Sequence, residues 1–334
     1  MLMTDVARIA GVSPMTVSRA LKNDSPVATD TRDRVLKVIN ELGYVPDQIA
    51  GGLSSKRSGF VAVLVPSLNN LHFADTVGAL AESLRPSGLQ ILIGCTNYRA
   101  DLEEELIETM LRRRPEVIVL TYDGHTPRSR RMLESAGIPV IEIWDEPRDP
   151  LGHVVGFSNR KAARSLAALL IAKGYRKIAF VGETNDRGTR GAERRAGVKD
   201  ALKAANIDDG RFLSFAPPPI TMMQGAQALA EVLQRWPDTN AVICVSDPCA
   251  FGVLSACQRR GILVPRDLAI AGFGDFEISR TASPTITTVV VDAEVVGRKT
   301  GELILELKAA DVRGAQLPRQ SVEISALPVE REST

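Results

Sequence analysis

Three side chains near the amino terminus, Thr16, Ser18 and Arg19, have the types and spacing that suit contacts with nucleic acid. They lie in the segment DVARIAGVSPMTVSRALKND, residues 5–24. Small hydroxyls bond to phosphate oxygens and base edges, and an arginine bonds to the O6 and N7 atoms of guanine in a bidentate fork. On one exposed helix face, these groups would fit the major groove of duplex DNA. The alternative is a small helical cap with a solvated polar face.

Two helices joined by a tight turn would position those side chains. Gly11 suits a turn that needs positive φ, and Ser13 suits the amino-terminal cap of the second helix. Apolar side chains at helical spacing would pack the pair together, and a third helix over residues 29–43 would complete the core. The apolar set comprises Ala7, Ile9, Ala10, Val12, Val17 and Leu21. The segment therefore predicts an all-α domain built around a helix-turn-helix.

The charge balance confines any nucleic-acid surface to part of the chain. The 334 residues carry a formal net charge of +1, which argues against a protein that binds polyanions over its whole surface. Residues 1–57 hold eight Lys and Arg against six Asp and Glu, a weak local excess. No apolar run approaches the roughly 18 residues of a membrane span, and the amino terminus has no apolar signal core. We therefore expect a soluble, cytoplasmic chain of two or three domains.

The sequence lacks the patterns of common enzymes and metal sites. It has neither a Walker phosphate loop nor a G-x-S-x-G elbow. The three histidines, His72, His125 and His153, lie far apart and show no metal-ligand spacing with cysteines or acids. The four cysteines show no C-x-x-C pairing, which is typical of a reducing compartment. We expect no enzymatic activity, cofactor or metal site.

After the first helical module, short β-type apolar runs alternate with longer amphipathic segments. Continuous apolar strands between amphipathic helices are typical of parallel sheets that helices cover on both faces. A Pro-rich link over 145–152 separates two such blocks, which predicts two doubly wound α/β lobes, about 59–154 and 155–286. A helix over 293–309 and a strand over 320–325 would cross back between the lobes.

Seven sequence blocks resemble the lactose-repressor (LacI) family of bacterial transcription regulators. They are DVARIAGVSPMTVSRAL (5–21), TRDRV (31–35), ELGYVPDQIAGGLSSKRSG (41–59), GYRKIAFVG (174–182), RRAGV (194–198), VSDPCAFGVL (245–254) and IAGFGDFEISRTASPTITTV (270–289). The resemblance covers nearly the whole chain. It implies a helix-turn-helix followed by a periplasmic-binding-protein-like core, and a homodimer on near-palindromic operator DNA. Whether the protein forms a tetramer stays open.

The resemblance also implies domain boundaries and a hinge that orders on DNA. The parts are a helix-turn-helix domain (1–45), a hinge (46–58), a first lobe (59–154 plus about 287–318) and a second lobe (155–286 plus about 319–334). Leu53 occupies the place of the family leucine that wedges between base pairs in the minor groove. Asp47 and the Gly51–Gly52 pair depart from the family pattern. The implied DNA contacts are Ser13, Met15, Thr16, Ser18, Arg19, Thr31, Tyr44, Ala50 and Leu53.

The resemblance to the LacI family also implies that a small effector binds between the lobes. Arg194 matches the family arginine that binds the effector's carboxylate or hydroxyls, and Gly274 replaces the first acid of the family's G-F-D-D pattern. A less acidic pocket with Arg187 and Arg190 nearby favours an anion, since a buried carboxylate needs charge-assisted partners. The implied effector contacts are Asn69, His72, Phe73, Asn159, Arg194, Ser246, Asp247 and Asp275.

The stretch PSLNNLHFADT, residues 66–76, is similar to the gluconate-operon repressor subgroup, whose effectors are sugar acids. Trp144 and Asp145 would also face the cleft, with core packing as the alternative. A neutral sugar or a nucleobase is the alternative effector. A solute-binding protein for transport is the alternative class, but it would carry an export signal and no helix-turn-helix. We interpret the chain as a DNA-binding transcription regulator, expected to be a repressor; inducer and corepressor both stay open.

Overall fold

The computed structural model describes residues 2–21, 26–45, 58–121, 124–184, 189–208, 210–315 and 317–334. The chain forms two compact units, Met1–Ser58 and Gly59–Thr334. Each unit is built around buried apolar clusters of its own.

The described part of the amino-terminal unit contains the helices α1 (Met3–Ala10), α2 (Pro14–Ala20) and α3 (Thr29–Leu42). Gly11 ends α1 in the left-handed conformation, with φ of 65°. The Ser13 side chain accepts a hydrogen bond from the backbone amide of Thr16 at 3.1 Å, which caps α2. The helix-turn-helix predicted from the sequence is confirmed.

Small apolar side chains hold these three helices together. Val6, Val17 and Val35 are fully buried at the centre of the cluster. The assignment of Ile9 to this core was wrong, because Ile9 is 49% exposed. Val6, Ala7 and Ala10 share one face of α1, and the helical period turns Ile9 away from it.

The unit Gly59–Thr334 contains two parallel sheets. The strands of the first are β1 (Phe60–Val65), β2 (Gln90–Cys95), β3 (Val117–Thr121), β4 (Val140–Ile143), β5 (His153–Gly156) and β11 (Ser321–Glu323). They are arranged in the order β11-β5-β4-β3-β1-β2, and every pairing is parallel. The central strand β3 is buried along its whole length, as expected for a sheet covered on both faces.

The second sheet has four strands, β6 (Ile178–Glu183), β7 (Phe212–Ala216), β8 (Ala241–Cys244) and β9 (Ala269–Ala271). They run parallel in the order β7-β6-β8-β9. Two further strands, β10 (Thr288–Val291) and β12 (Ala326–Val329), pair antiparallel. Isolated bridges from Ala271 to Thr287 and from Gly274 to Val290 connect β10 to the β9 end of this sheet.

Helices cover both sheets. Those described are α4 (Leu71–Leu84), α5 (Ala100–Arg112), α6 (Pro127–Ser135), α7 (Asn159–Ala172), α8 (Arg190–Ala204), α9 (Met222–Arg235), α10 (Asp247–Arg259), α11 (Glu277–Thr281) and α12 (Ala293–Val312). The helices α7 and α8 pack on each other, as do α9 and α10, and α12 packs along α4. None of the described helices is long and apolar enough to cross a membrane.

Two strands join a different sheet from the one predicted. The sequence analysis began the second lobe near residue 155 and placed 320–325 there, but β5 and β11 pair with each other in the first sheet. The Pro-rich link over 145–152 is therefore a loop between neighbouring strands of one sheet. Alternating strands and helices reveal each element but carry no information on which of two sheets a strand joins. The remaining lobe boundaries stay a prediction.

Candidate functional site

The helix α2 exposes part of the predicted DNA-contacting set. Met15 is 62% exposed, Arg19 is also exposed, and Thr16 and Ser18 are half-buried. Ser13 is exposed, but its hydroxyl caps the helix and lies 2.9 Å from Thr16 Oγ1. Arg19 is therefore the longest polar group that α2 presents to solvent.

The other predicted DNA contacts lie outside α2. Thr31 is half-buried in the first turn of α3. Tyr44 follows the Gly43 cap of α3 and packs partly against the helical core. Ala50 and Leu53 lie outside the described residues. The assignment of individual DNA contacts stays a prediction.

A cavity of about 550 Å³ lies in the unit Gly59–Thr334. Its walls come largely from loops that follow the carboxyl ends of strands in both sheets, which is where doubly wound domains bind ligands. Five predicted effector contacts line it: Asn69, His72, Phe73, Arg194 and Ser246. The other three, Asn159, Asp247 and Asp275, are not among the described lining residues.

Three contacts hold Arg194 at the cavity wall. Its Nε donates to Asn159 Oδ1 at 2.8 Å, and one terminal nitrogen donates to the Val245 carbonyl at 2.8 Å. The guanidinium carbon lies 3.7 Å from the ring centroid of Phe273, a cation–π contact. Burial and the nearby Arg190 lower the pKa of Arg194 to about 10, so the group stays charged at neutral pH.

Asn159 positions Arg194 from behind the cavity wall. Its side chain is fully buried, and its Nδ2 donates to the Trp144 carbonyl at 3.1 Å. The two hydrogen bonds of the amide connect the loop after β4 to the arginine on α8. Asp145 is buried beside it, and burial raises the pKa of that carboxyl. Asn159 thus supports Arg194 in the structure, and its contact with the effector stays a prediction.

Asp247 and Asp275 use their carboxylates inside the protein. Asp247 is fully buried and accepts hydrogen bonds from the Thr288 hydroxyl at 2.6 Å and from the Phe276 amide at 2.8 Å. Burial raises the pKa of Asp247 to about 6. Asp275 forms an ion pair with Arg331 at 2.5 Å. Both acids hold the loop after β9 in place, because their oxygens bond to residues of that loop or to residues packed against it.

His72 is in contact with that loop. Its ring centroid is 3.9 Å from that of Phe276, with the two rings edge to face. Burial, together with the positive charge of Arg194, lowers the pKa of His72 to about 4, so the ring is neutral at pH 7. Gly274, with φ of +129°, makes room for it, since a Cβ there would lie 2.9 Å from His72 Nε2. His72 follows the first strand of the first sheet, whereas Phe276 follows β9 of the second.

Aromatic rings and a second arginine also line the cavity. Arg190 is buried, with its guanidinium carbon 5.2 Å from the ring centroid of Phe73. Trp144 lies 5.6 Å from Phe73 in an edge-to-face arrangement and adopts a left-handed φ of 71°. Such a strained backbone is typical of functional sites. Trp144 lines the cavity as predicted, while Asp145 is buried.

Two family models match the chain. Residues 2–47 match the bacterial regulatory proteins of the lacI family, and residues 167–334 match a periplasmic binding protein-like domain. Over 332 residues the chain is 35% identical to the HTH-type transcriptional regulator GntR of Pseudomonas aeruginosa, an alignment that covers 99% of this chain and 95% of that protein. The chain belongs to the LacI family.

Solved structures of this family agree. A LacI family transcriptional regulator from Silicibacter pomeroyi is 47% identical, with a TM-score of 0.78 over 82% of this chain and 98% of that chain. A second LacI family protein from the same organism gives a TM-score of 0.91 at 31% identity, over 100% of this chain and 99% of that one. The predicted fold and class are confirmed: this chain is a DNA-binding transcription regulator of a family whose members are regulators and not enzymes.

The sequence analysis missed several cavity residues of this LacI-family regulator. Glu183 is the last residue of β6, Asn97 and Tyr98 follow β2 with left-handed φ angles of 51° and 59°, and the segment 218–222 follows β7. A usable signal was present, because each of them stands at or just beyond the carboxyl end of a parallel strand.

Proposed function

We propose that this LacI-family regulator controls an operon of sugar-acid catabolism as a repressor, and that its effector is a polyhydroxylated carboxylic acid bound in the cavity. The proposal rests on the position of Arg194, a half-buried and charged guanidinium held over Phe273 at the cavity wall. A desolvated cation is best balanced by a carboxylate, which accepts charge-assisted hydrogen bonds from it.

The remaining cavity wall suits the carbon chain and hydroxyls of such an acid. Phe73, Trp144 and Phe276 offer ring faces and edges to C–H groups, while Asn69 and Ser246 offer hydrogen bonds to hydroxyls. The volume of about 550 Å³ is ample for a six-carbon acid. The effector would contact His72 and Phe73 from one sheet and Arg194 and Ser246 from the other.

This bridging gives a mechanism for control of DNA binding. An effector that contacts both lobes binds one of their arrangements more tightly and therefore shifts the population toward it. In the proposed DNA complex, α2 of each subunit of a homodimer enters the major groove, Arg19 reads base edges, and Leu53 wedges into the minor groove. Since operator DNA is the target, the proposal places the protein in the cytoplasm.

Calorimetric titration of the purified protein with D-gluconate, D-glucose and a purine base tests the effector class. We expect gluconate to bind to the wild type. Arg194→Ala should weaken gluconate binding by about 100-fold or more, which is the scale expected when a charge held inside a binding site loses its partner. Arg195→Ala is the matched control, because Arg195 is the next residue of α8 and donates to Ser214 at 2.9 Å instead of lining the cavity. Binding of glucose or the purine alone would contradict the proposal.

A further inference from the structure

The cavity contains a carboxylate that no family motif predicts, that of Glu183. Glu183 ends β6, is half-buried and lines the cavity together with Arg190 and Arg194. Its negative charge raises the pKa of Arg194, which places the two groups within electrostatic reach of each other. An anionic effector held by Arg194 therefore binds next to a fixed negative charge.

The chain makes room for this carboxylate at the start of α8. Gly191 lies in the first turn of that helix, and a Cβ at this position would lie 3.0 Å from Glu183 Cδ and nearer still to Oε2. The side chain of almost any other residue would push the carboxylate out of place. The amino-terminal turn of a 15-residue helix also favours a negative charge beside it. Glu183 is thus held at a defined point of the cavity wall.

The charged groups among the described lining residues would be balanced by one negative charge on the ligand. Arg190 and Arg194 are guanidinium groups, Glu183 is a carboxylate, and His72 is neutral because of its lowered pKa. One positive charge remains, which the single carboxylate of an effector balances. A second negative charge on the ligand would exceed this balance and would be repelled by Glu183.

We propose that Glu183 determines effector specificity: it accepts hydrogen bonds from ligand hydroxyls and excludes doubly charged acids, so that the effector is a singly charged polyhydroxy acid. The inference rests on the proposed function and narrows it. A carboxylate oxygen is a strong acceptor for hydroxyl donors, whereas it repels a second carboxylate or a phosphate on the same carbon chain.

The test compares D-gluconate with D-glucarate, which has the same carbon chain and a second carboxylate. Calorimetric titration of the full chain gives both dissociation constants. We expect the wild type to prefer gluconate, and Glu183→Gln, which keeps the shape but removes the charge, to shift the gluconate-to-glucarate affinity ratio toward glucarate by about tenfold or more. Glu183→Asp, which keeps the charge, retains the preference for gluconate.

Glu193→Gln is the matched control, because Glu193 lies on the same first turn of α8 and is not among the described lining residues. The gluconate-to-glucarate affinity ratio of Glu193→Gln should equal that of the wild type. If gluconate binds and Glu183→Gln leaves the ratio unchanged within twofold, this inference is overturned while the proposed function stands. If the wild type binds neither acid, the proposed function fails and the inference fails with it.

Discussion

The guanidinium of Arg194 lies over the ring of Phe273, and its Nε is tied to Asn159 Oδ1 at 2.8 Å. Asn159 is in turn tied to the Trp144 carbonyl. The ring and the amide hold a flexible side chain in one orientation, so little of its conformational freedom remains to be lost when a ligand binds. The proposed effector site thus depends on a residue that does not line it.

Asn159→Ala should therefore weaken gluconate binding although the amide lies behind the wall. We expect an affinity loss of about 10-fold or more, because one anchor of Arg194 is gone and a buried donor or acceptor left unpaired costs about 1–3 kcal/mol. Calorimetric titration measures the loss, and circular dichroism checks the fold. Asn40→Ala, an exposed amide on α3, is the control. Unchanged affinity in Asn159→Ala would remove the positioning role.

Gly274→Ala should destabilise the unit Gly59–Thr334 and disturb the contact between His72 and Phe276. The added Cβ would lie 2.7 Å from Phe276 Cε2 and 2.9 Å from His72 Nε2. Gly261→Ala is the control, because Gly261 also has positive φ, 70°, but nothing lies within 4 Å of the added Cβ. The control should lose only the about 1–2 kcal/mol of left-handed strain. Equal losses in chemical denaturation would contradict a steric role of Gly274.

His125 is buried between Glu103, at 2.9 Å, and Glu142, at 3.3 Å. Burial alone would lower the pKa of His125, but the two carboxylates outweigh this effect and raise the pKa to about 9. A raised folded-state pKa stabilises the protein fully below pH 6.5, the unfolded value, and this contribution is lost as the pH rises through about 9. The free energy of unfolding should therefore fall between pH 7 and 10.

His125→Gln should flatten that alkaline limb and cost about 3–5 kcal/mol at pH 7, because it leaves buried carboxylates without their cation. Denaturant titrations at several pH values measure both effects. His153→Gln is the control, since burial and Arg319 lower the pKa of His153, so this residue is neutral throughout the alkaline range. If the free energy of unfolding of His125→Gln still falls between pH 7 and 10 as in the wild type, groups other than His125 cause that fall.

Arg19→Ala should reduce operator affinity more than affinity for random DNA. A bidentate contact to guanine contributes about 1–3 kcal/mol of discrimination, so the specificity ratio should fall by about 5- to 150-fold. Arg8→Ala removes the same charge from an exposed position on α1 and should weaken both kinds of DNA alike. Titrations at one fixed salt concentration measure the ratios. An equal fall on both DNAs in Arg19→Ala would make Arg19 a phosphate contact.

Local periodicity was sufficient to predict most elements of the fold. The predicted helix over 29–43 corresponds to α3, Thr29–Leu42, and the predicted helix over 293–309 corresponds to α12, Ala293–Val312. The strand β7 was missed, because it is an edge strand that is only partly buried and lacks a continuous apolar pattern. The helix α9 was also missed, although Thr221 and Gln224 form a capping box that marks its start.

The site was less predictable, because the type of a residue does not show which way its side chain points. Family position brought Arg194 and Asn159 together, but only the structure shows that the Asn159 amide faces the arginine and a backbone carbonyl. The sequence likewise did not show that the oxygens of Asp247 bond to Thr288 and to the Phe276 amide; its contact with the effector stays a prediction. These partners lie far away in sequence, and the sheet topology alone brings them together.

The most direct test of the central claim is operator affinity measured with and without effector. Fluorescence anisotropy of a labelled operator, selected from random duplexes by the protein itself, gives the dissociation constant at fixed salt. We expect saturating gluconate to change this constant by about fivefold or more in the wild type and to leave it unchanged in Arg194→Ala. A constant that does not move although calorimetry shows gluconate bound would contradict effector control of DNA binding.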